Sequence, residues 1–315
     1  MNIMKYFLTA SLILLLFLAH GCGLTGTEES SSDAPSIADI EGQDAVEIPS
    51  DQEMAIPALS PEDQKKADSA PAGMTFIKGR CFTMGNDNAQ ADEKYEHSVC
   101  LDDFYMDKTE VTQARWEQVM GYNPSRFVGA EHPVEQINYY DILEFIEKSG
   151  GTCRLPTEAE FEFAARGGAS TRYFWGNLMD GDYAWYEDNS AGTTHPVAQR
   201  KPNVYGLYDI FGNVWEWTNA WYAPLFRPLK VTNPVGPAQG EYKVIRGGGF
   251  DTSAGGLRIT NRTWLHPKNR VFSKVTTFGN AVNEIFNFIG FRCVQSIPTE
   301  LTAASPATKN STSGS

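Results

Sequence analysis

Asp209 and Glu216 stand at the two ends of the run Asp-Ile-Phe-Gly-Asn-Val-Trp-Glu. With the backbone carbonyls of Gly212 and Val214 they offer oxygen donors alone, the chemistry that suits a hard cation such as calcium. A plainer role is open to Glu216, which could cap a backbone turn or pair with an arginine. The four histidines beyond residue 22, His97, His132, His195 and His266, are isolated from one another and lack the clustered spacing of a metal site. No Ser, His and Asp constellation appears. Gly247-Gly248-Gly249 lacks the lysine and helix that would make it a phosphate cradle, so its glycines serve close backbone packing.

The carboxylates depend on the stretch that carries them, residues 203–217, which is dense in aromatic and turn residues. Gly206 and Gly212-Asn213 allow the chain to turn on either side of Leu207-Tyr208-Asp209-Ile210-Phe211. Val214 to Trp217 alternates as a strand, which puts Trp215 and Trp217 on one face and Glu216 on the other. Three helices are expected upstream. Thr112 caps one that Gly121 ends; a second runs from about Tyr139 to Lys148, burying Ile142, Leu143, Phe145 and Ile146; a third follows Thr157, with Glu160 completing a capping box and Gly167-Gly168 terminating it. Short strands and long Gly, Asn and Pro loops follow, without a βαβ alternation or a fixed repeat. The fold class expected is α+β.

The 315-residue chain carries a net charge of −13, but the charge is unevenly placed. Residues 23–72 hold twelve acidic side chains against Lys65 and Lys66, which accounts for −10; with Lys5 at +1 near the start, the chain from Gly73 onward carries −4. That segment contains no aromatic residue, so it is expected to be a solvated, disordered tether (22–72), with a root-mean-square reach of about 40 Å. Acidity of this kind marks a solvated, self-repelling linker and says nothing about a binding face in the domain; nucleic acid is not expected as a partner. Residues 1–21 form a targeting segment, with Lys5 ahead of an apolar run from Phe7 to Ala19 too short for a comfortable membrane span. Gly21-Cys22 resembles the cleavage box of a bacterial lipoprotein, making Cys22 the expected lipidated residue; a plain signal peptide with an incidental cysteine is the alternative. The protein is therefore expected to be exported and lipid-anchored, facing the outer membrane or periplasm.

Four further cysteines in an exported domain favour disulfides. Three pairings are possible in principle. Cys81 and Cys100 lie in two short apolar runs, Thr75 to Met84 and Ser98 to Met106, that read as neighbouring strands. Pairing them leaves Cys153 with Cys293, a link from the start of a central helix to the last strand.

Residues 73–297 are long enough for one domain, followed by a disordered tail at 298–315. The order of motifs within it is distinctive: Met84-Gly85, Asp103-Phe104-Tyr105, Thr109-Glu110-Val111-Thr112, Asn123-Pro124-Ser125, Arg154 through Glu162, Ala164-Ala165-Arg166-Gly167-Gly168, Trp175-Gly176, His195-Pro196-Val197, Arg246-Gly247-Gly248 and Gly290-Phe291-Arg292. This series resembles the sulfatase-modifying-factor family, whose namesake is the formylglycine-generating enzyme. The resemblance implies that enzyme's fold, a C-type-lectin-like variant with short strands, about three helices and long loops. It also implies a structural calcium held by Asp209, Gly212, Val214 and Glu216. Catalysis in the namesake uses two cysteines, five residues apart, that bind copper(I) and convert a substrate cysteine to formylglycine. Here Thr252 and Leu257 occupy those positions, and neither binds copper. Arg258 and Arg262 match recurring arginines of the family and are expected to partner buried carboxylates.

Two functions are consistent with these residues. One is a membrane-tethered, non-catalytic binding or scaffold module that presents a loop-rich face around Ser253 to Phe288 to a protein or glycan ligand. The other is an oxidoreductase of the formylglycine-generating or non-haem-iron type, with a metal set not legible in sequence. No catalytic residue is assigned. Copper is not expected and iron is left open.

Overall fold

The computed structural model describes residues 58–224, 230–278 and 281–297. The expected signal segment, Cys22, the tether as far as residue 57 and the tail from residue 298 lie outside these residues.

One expectation is corrected at the start of the domain. Residues assigned to the tether form helix α1 (Pro61–Asp68), capped by the Ser60 side chain and begun by Pro61, with Glu62 and Asp63 in its first turn. Those are the residues that start helices, because they satisfy or dispense with the free N–H groups there and suit the positive end of the dipole. The helix is tied down by ion pairs of Lys66 with Asp103 and of Lys78 with Asp63, and by a bond from the Tyr105 hydroxyl to the Lys66 carbonyl. Leu59, Ala67 and Ala70 pack against the core, so the folded unit begins before residue 73.

The other three helices lie where the sequence puts them. α2 (Gln113–Met120) is capped by Thr112 and closed by Gly121, whose φ of 80° a side chain would strain. α3 (Tyr139–Lys148) begins in a capping box of Asn138 with Asp141. It buries Ile142 and Phe145, but Leu143, expected inside, points outward and is 41 % exposed. α4 (Glu158–Arg166) has the Thr157–Glu160 capping box and ends at Gly167.

Eleven short strands complete the described fold. β1 (Met74–Ile77), β4 (Phe104–Asp107) and β11 (Val294–Ser296) form one sheet in the order β1-β4-β11. β2 (Cys81–Met84), β3 (His97–Cys100) and β6 (Val231–Thr232) form a second. β5 (Trp215–Trp221), β7 (Lys243–Arg246), β8 (Arg262–Leu265), β9 (Val271–Phe278) and β10 (Ala281–Gly290) form the third, ordered β8-β7-β5-β10-β9. The region from Ser253 to Phe288 is thus not mainly loop: it contains β8 and the antiparallel β9–β10 pair. Cys81 lies opposite Cys100 in the β2–β3 ladder and is bonded to it, and Cys153 is bonded to Cys293. Both are the pairings expected from the neighbouring strands.

Candidate functional site

β5 occupies the middle of the five-stranded sheet, between β7 and β10, and so carries its residues into the interior. Trp217 is fully buried, its indole donating to the Ile137 carbonyl, while Glu216 points to the opposite face. There Arg292, delivered by the turn between β10 and β11, grips both Glu216 oxygens: Nη2 lies 2.7 Å from Oε1 and Nε 2.8 Å from Oε2. Of the roles open to Glu216, the structure shows arginine pairing. Burial pushes the Glu216 carboxyl up, opposed by the Arg292 charge.

Two more buried acids share this interior. Asp209, held at a φ of 50° by the preceding turn, accepts from the Ala198 N–H at 2.7 Å through Oδ2, while Oδ1 is buried without a partner. Both carboxylate oxygens of Glu110 are likewise buried and unpartnered. Burial raises the Asp209 carboxyl to about 6, and raises Glu110 well above the usual range, with the Asp209 charge adding to the effect. Glu216, Asp209 and Glu110 thus face the Arg292 guanidinium, with Arg200 also acting on Asp209 and Asp107 on Glu216. Among the described residues no three His, Cys, Asp or Glu side chains converge closely enough to share a metal ion. Gly212 is required between Asp209 and Glu216, because a Cβ there would meet the Trp185 carbonyl oxygen at 2.2 Å.

A second ion-pair network lies behind β7 and β8. Arg246 reaches Glu162 at 2.5 Å, Arg166 reaches Glu162 at 2.8 Å, Arg262 reaches Glu158 at 2.6 Å, and Arg258 pairs with Glu93. Arg258 and Arg262 therefore partner buried carboxylates, as expected.

Beside this network opens a cleft of about 1110 Å³, lined among others by Asp251, Thr252, Trp215, Tyr222 and Trp264. Tyr222 and Trp264 stack at 4.2 Å and form an aromatic shelf. Asp251, raised to about 6 by burial with the Glu187 charge adding to it, sits next to Thr252. The Thr252 hydroxyl accepts from the Gly249 N–H at 2.9 Å, closing a tight turn. Leu257 is fully buried in the core. A Cβ placed on Gly248 would lie 2.3 Å from Leu257 Cδ2 and 3.3 Å from Thr252 Cγ2, so positions 252 and 257 meet at the same glycine.

Comparison with known proteins gives this geometry its context. Residues 60–297 match the family model described as the sulfatase-modifying factor enzyme 1-like domain. The chain belongs to the sulfatase-modifying factor family. The match begins one residue before α1, in keeping with the corrected domain start. Over 254 residues the chain is 34 % identical to the serine/threonine-protein kinase Pkn1 of Chlamydia pneumoniae, covering 71 % of this chain and 38 % of the kinase. It is 29 % identical over 325 residues to the formylglycine-generating enzyme of Bos taurus, covering 77 % of this chain and 85 % of the enzyme. Among solved structures, variable protein 1 of Treponema denticola superposes with a TM-score of 0.60 at 29 % identity, covering 70 % of this chain and 94 % of that one.

At the two positions that the resemblance assigns to the copper-binding cysteines, Thr252 spends its hydroxyl on a backbone turn and Leu257 buries an alkyl chain, a donor set that does not fit copper(I). All four cysteines of the described residues are in disulfides. The histidines each serve a local contact. His132 bonds Thr194 at 3.0 Å; His195 stacks on Trp185 at 3.6 Å and reaches the Ser190 carbonyl; His97 reaches the Tyr95 carbonyl; the Lys268 N–H donates to His266. Glu110 and Arg292 are functional candidates that no local pattern singled out, although both lie inside the family motifs Thr-Glu-Val-Thr and Gly-Phe-Arg.

Proposed function

We propose that this protein is a non-oxidising binding module of its family, held at a membrane through lipid on Cys22, whose cleft over Thr252 receives a protein or glycan ligand. The carrying observation is the pair Thr252 and Leu257, which meet at Gly248 and supply no thiolate. The stacked Tyr222 and Trp264, with Asp251 and Glu187 nearby, give the cleft an aromatic shelf and an acidic floor suited to binding.

Calcium is the metal proposed for the interior of the domain. Support comes from the buried, unpartnered Asp209 Oδ1 and Glu110 oxygens, which are hard donors. With all three acids ionised, their negative charge exceeds what Arg292, and Arg200 at Asp209, offset, and a bound cation would relieve the remainder. Asp209, the Gly212 and Val214 carbonyls and Glu216 would hold it, with Glu216 shared between the ion and Arg292. Elemental analysis of the purified full-length chain tests both proposals. Calcium without copper or iron supports them; copper or iron approaching one per chain would favour an oxidoreductase.

A further inference from the structure

We propose that a second cavity, adjoining the Thr252 cleft but lined separately, binds an acidic saccharide. It encloses about 830 Å³ between the loop after β2 and the segment after α4, and shares only Gln90, Arg172 and Arg258 with the cleft. Its floor includes Arg166 as well, so three guanidinium groups face it against one carboxylate, Glu96.

The guanidiniums differ in what they have left to give. Arg258 is spent on Glu93, Gly255 and Asn261. Arg166 uses Nε and Nη2 on Glu162 and the Gly85 carbonyl, which leaves Nη1. The Arg172 guanidinium stacks over Tyr173 at 5.6 Å and makes no hydrogen bond or ion pair among the described residues. The ion-pair network at the floor sets Arg166, Arg246, Arg258 and Arg262 against Glu93, Glu158 and Glu162, with Asp92 also acting on Arg262, so the uncompensated positive charge facing the cavity is that of Arg172. An oxyanion is the natural complement of such a wall.

The neutral lining decides what carries the oxyanion. Asn86 and Asn177 each spend their side-chain oxygen on a backbone N–H, of Asn88 at 2.9 Å and of Arg172 at 3.0 Å, and their Nδ2 groups remain as donors. Ile259 is the one large aliphatic side chain in the lining, and no aromatic ring is present among the lining residues. A donor-rich, weakly apolar cavity of this size matches hydroxyl and carboxylate or sulfate oxygens of a sugar better than the side chains of a peptide. The frame is rigid: the Cys81–Cys100 bridge pins β2 to β3, and Glu162 accepts from the Gly85 N–H at 2.9 Å.

The proposal does not depend on the function of the Thr252 cleft. Its test is equilibrium binding of detergent-solubilised full-length protein to polygalacturonate, to heparin, to neutral dextran and to inorganic sulfate. Saturable binding to one acidic polymer is expected, with at least a tenfold loss in Arg172→Ala and in Asn177→Asp, and no loss in Lys201→Ala. The polymer that binds identifies the anion as carboxylate or sulfate. Binding to neither polymer, equal binding of dextran, sulfate binding as tightly as the polymers, or unchanged binding in both cavity variants would overturn it.

Discussion

Arg292 and Glu216 form a fully buried two-point ion pair that joins the turn after β10 to the start of β5. Removing one member strands the other charge where water cannot reach it, which typically costs about 3–5 kcal/mol. Arg292→Met and Glu216→Gln should each lower the melting temperature strongly, and the double variant should melt above the worse single one. Additive losses in thermal melts would show that the two residues are not coupled.

The calcium proposal has its own signature. Chelation should lower the melting temperature of the parent and shift its tryptophan emission, since Trp215 and Trp217 flank Glu216. Asp209→Asn should be less stable than the parent in calcium and more stable in chelator, because the amide removes a buried charge that the ion would otherwise offset. Identical melting of parent and variant under both conditions would place the ion elsewhere.

How far the sequence reaches is clearest in these same elements. Thr157 with Glu160, Thr112 with Gly121, and Cys81 with Cys100 were legible because each is a short-range relation with its own chemistry: a cap, a stop, a cross-strand pair. Helix α1 was missed because its Ser-Pro-Glu-Asp start is embedded in acidic, aromatic-free sequence, and its hold on the domain comes from Asp103 and Tyr105, distant in the chain. The meeting of Glu110 and Arg292 with Asp209 escaped for the same reason: it is set by the order of strands in the sheets, which periodicity does not reveal. Leu143 shows the converse, an apolar residue on the helix left 41 % exposed.

Asp251 supplies a pH dependence. Its carboxyl is raised from 3.8 to about 6, so between these values the folded protein keeps a proton that the unfolded chain has lost. Its contribution to stability therefore falls as pH rises from about 4 to about 6 and stays low above that. Asp251→Asn should match the parent near pH 4 and exceed it at pH 8 by about 1–2 kcal/mol, the residue being partly exposed. Denaturant unfolding at the two pH values checks this; an equal difference at both would remove Asp251 as the cause.

Anchoring is tested at Cys22. The parent should partition into detergent with a mass increase of lipid on its N-terminal peptide, and Cys22→Ser should be recovered in the aqueous phase. A variant that remained with the membrane fraction would point to another anchor.

The most direct measurement is the family reaction itself. Full-length protein is incubated with a sulfatase-type cysteine peptide, copper and oxygen, and the peptide is read by mass spectrometry. With Thr252 tied to Gly249 and Leu257 buried, no pair of thiolates can hold copper(I), and the account predicts no aldehyde above the level without protein. Formylglycine accumulating above that level, with turnover dependent on this protein, would contradict it.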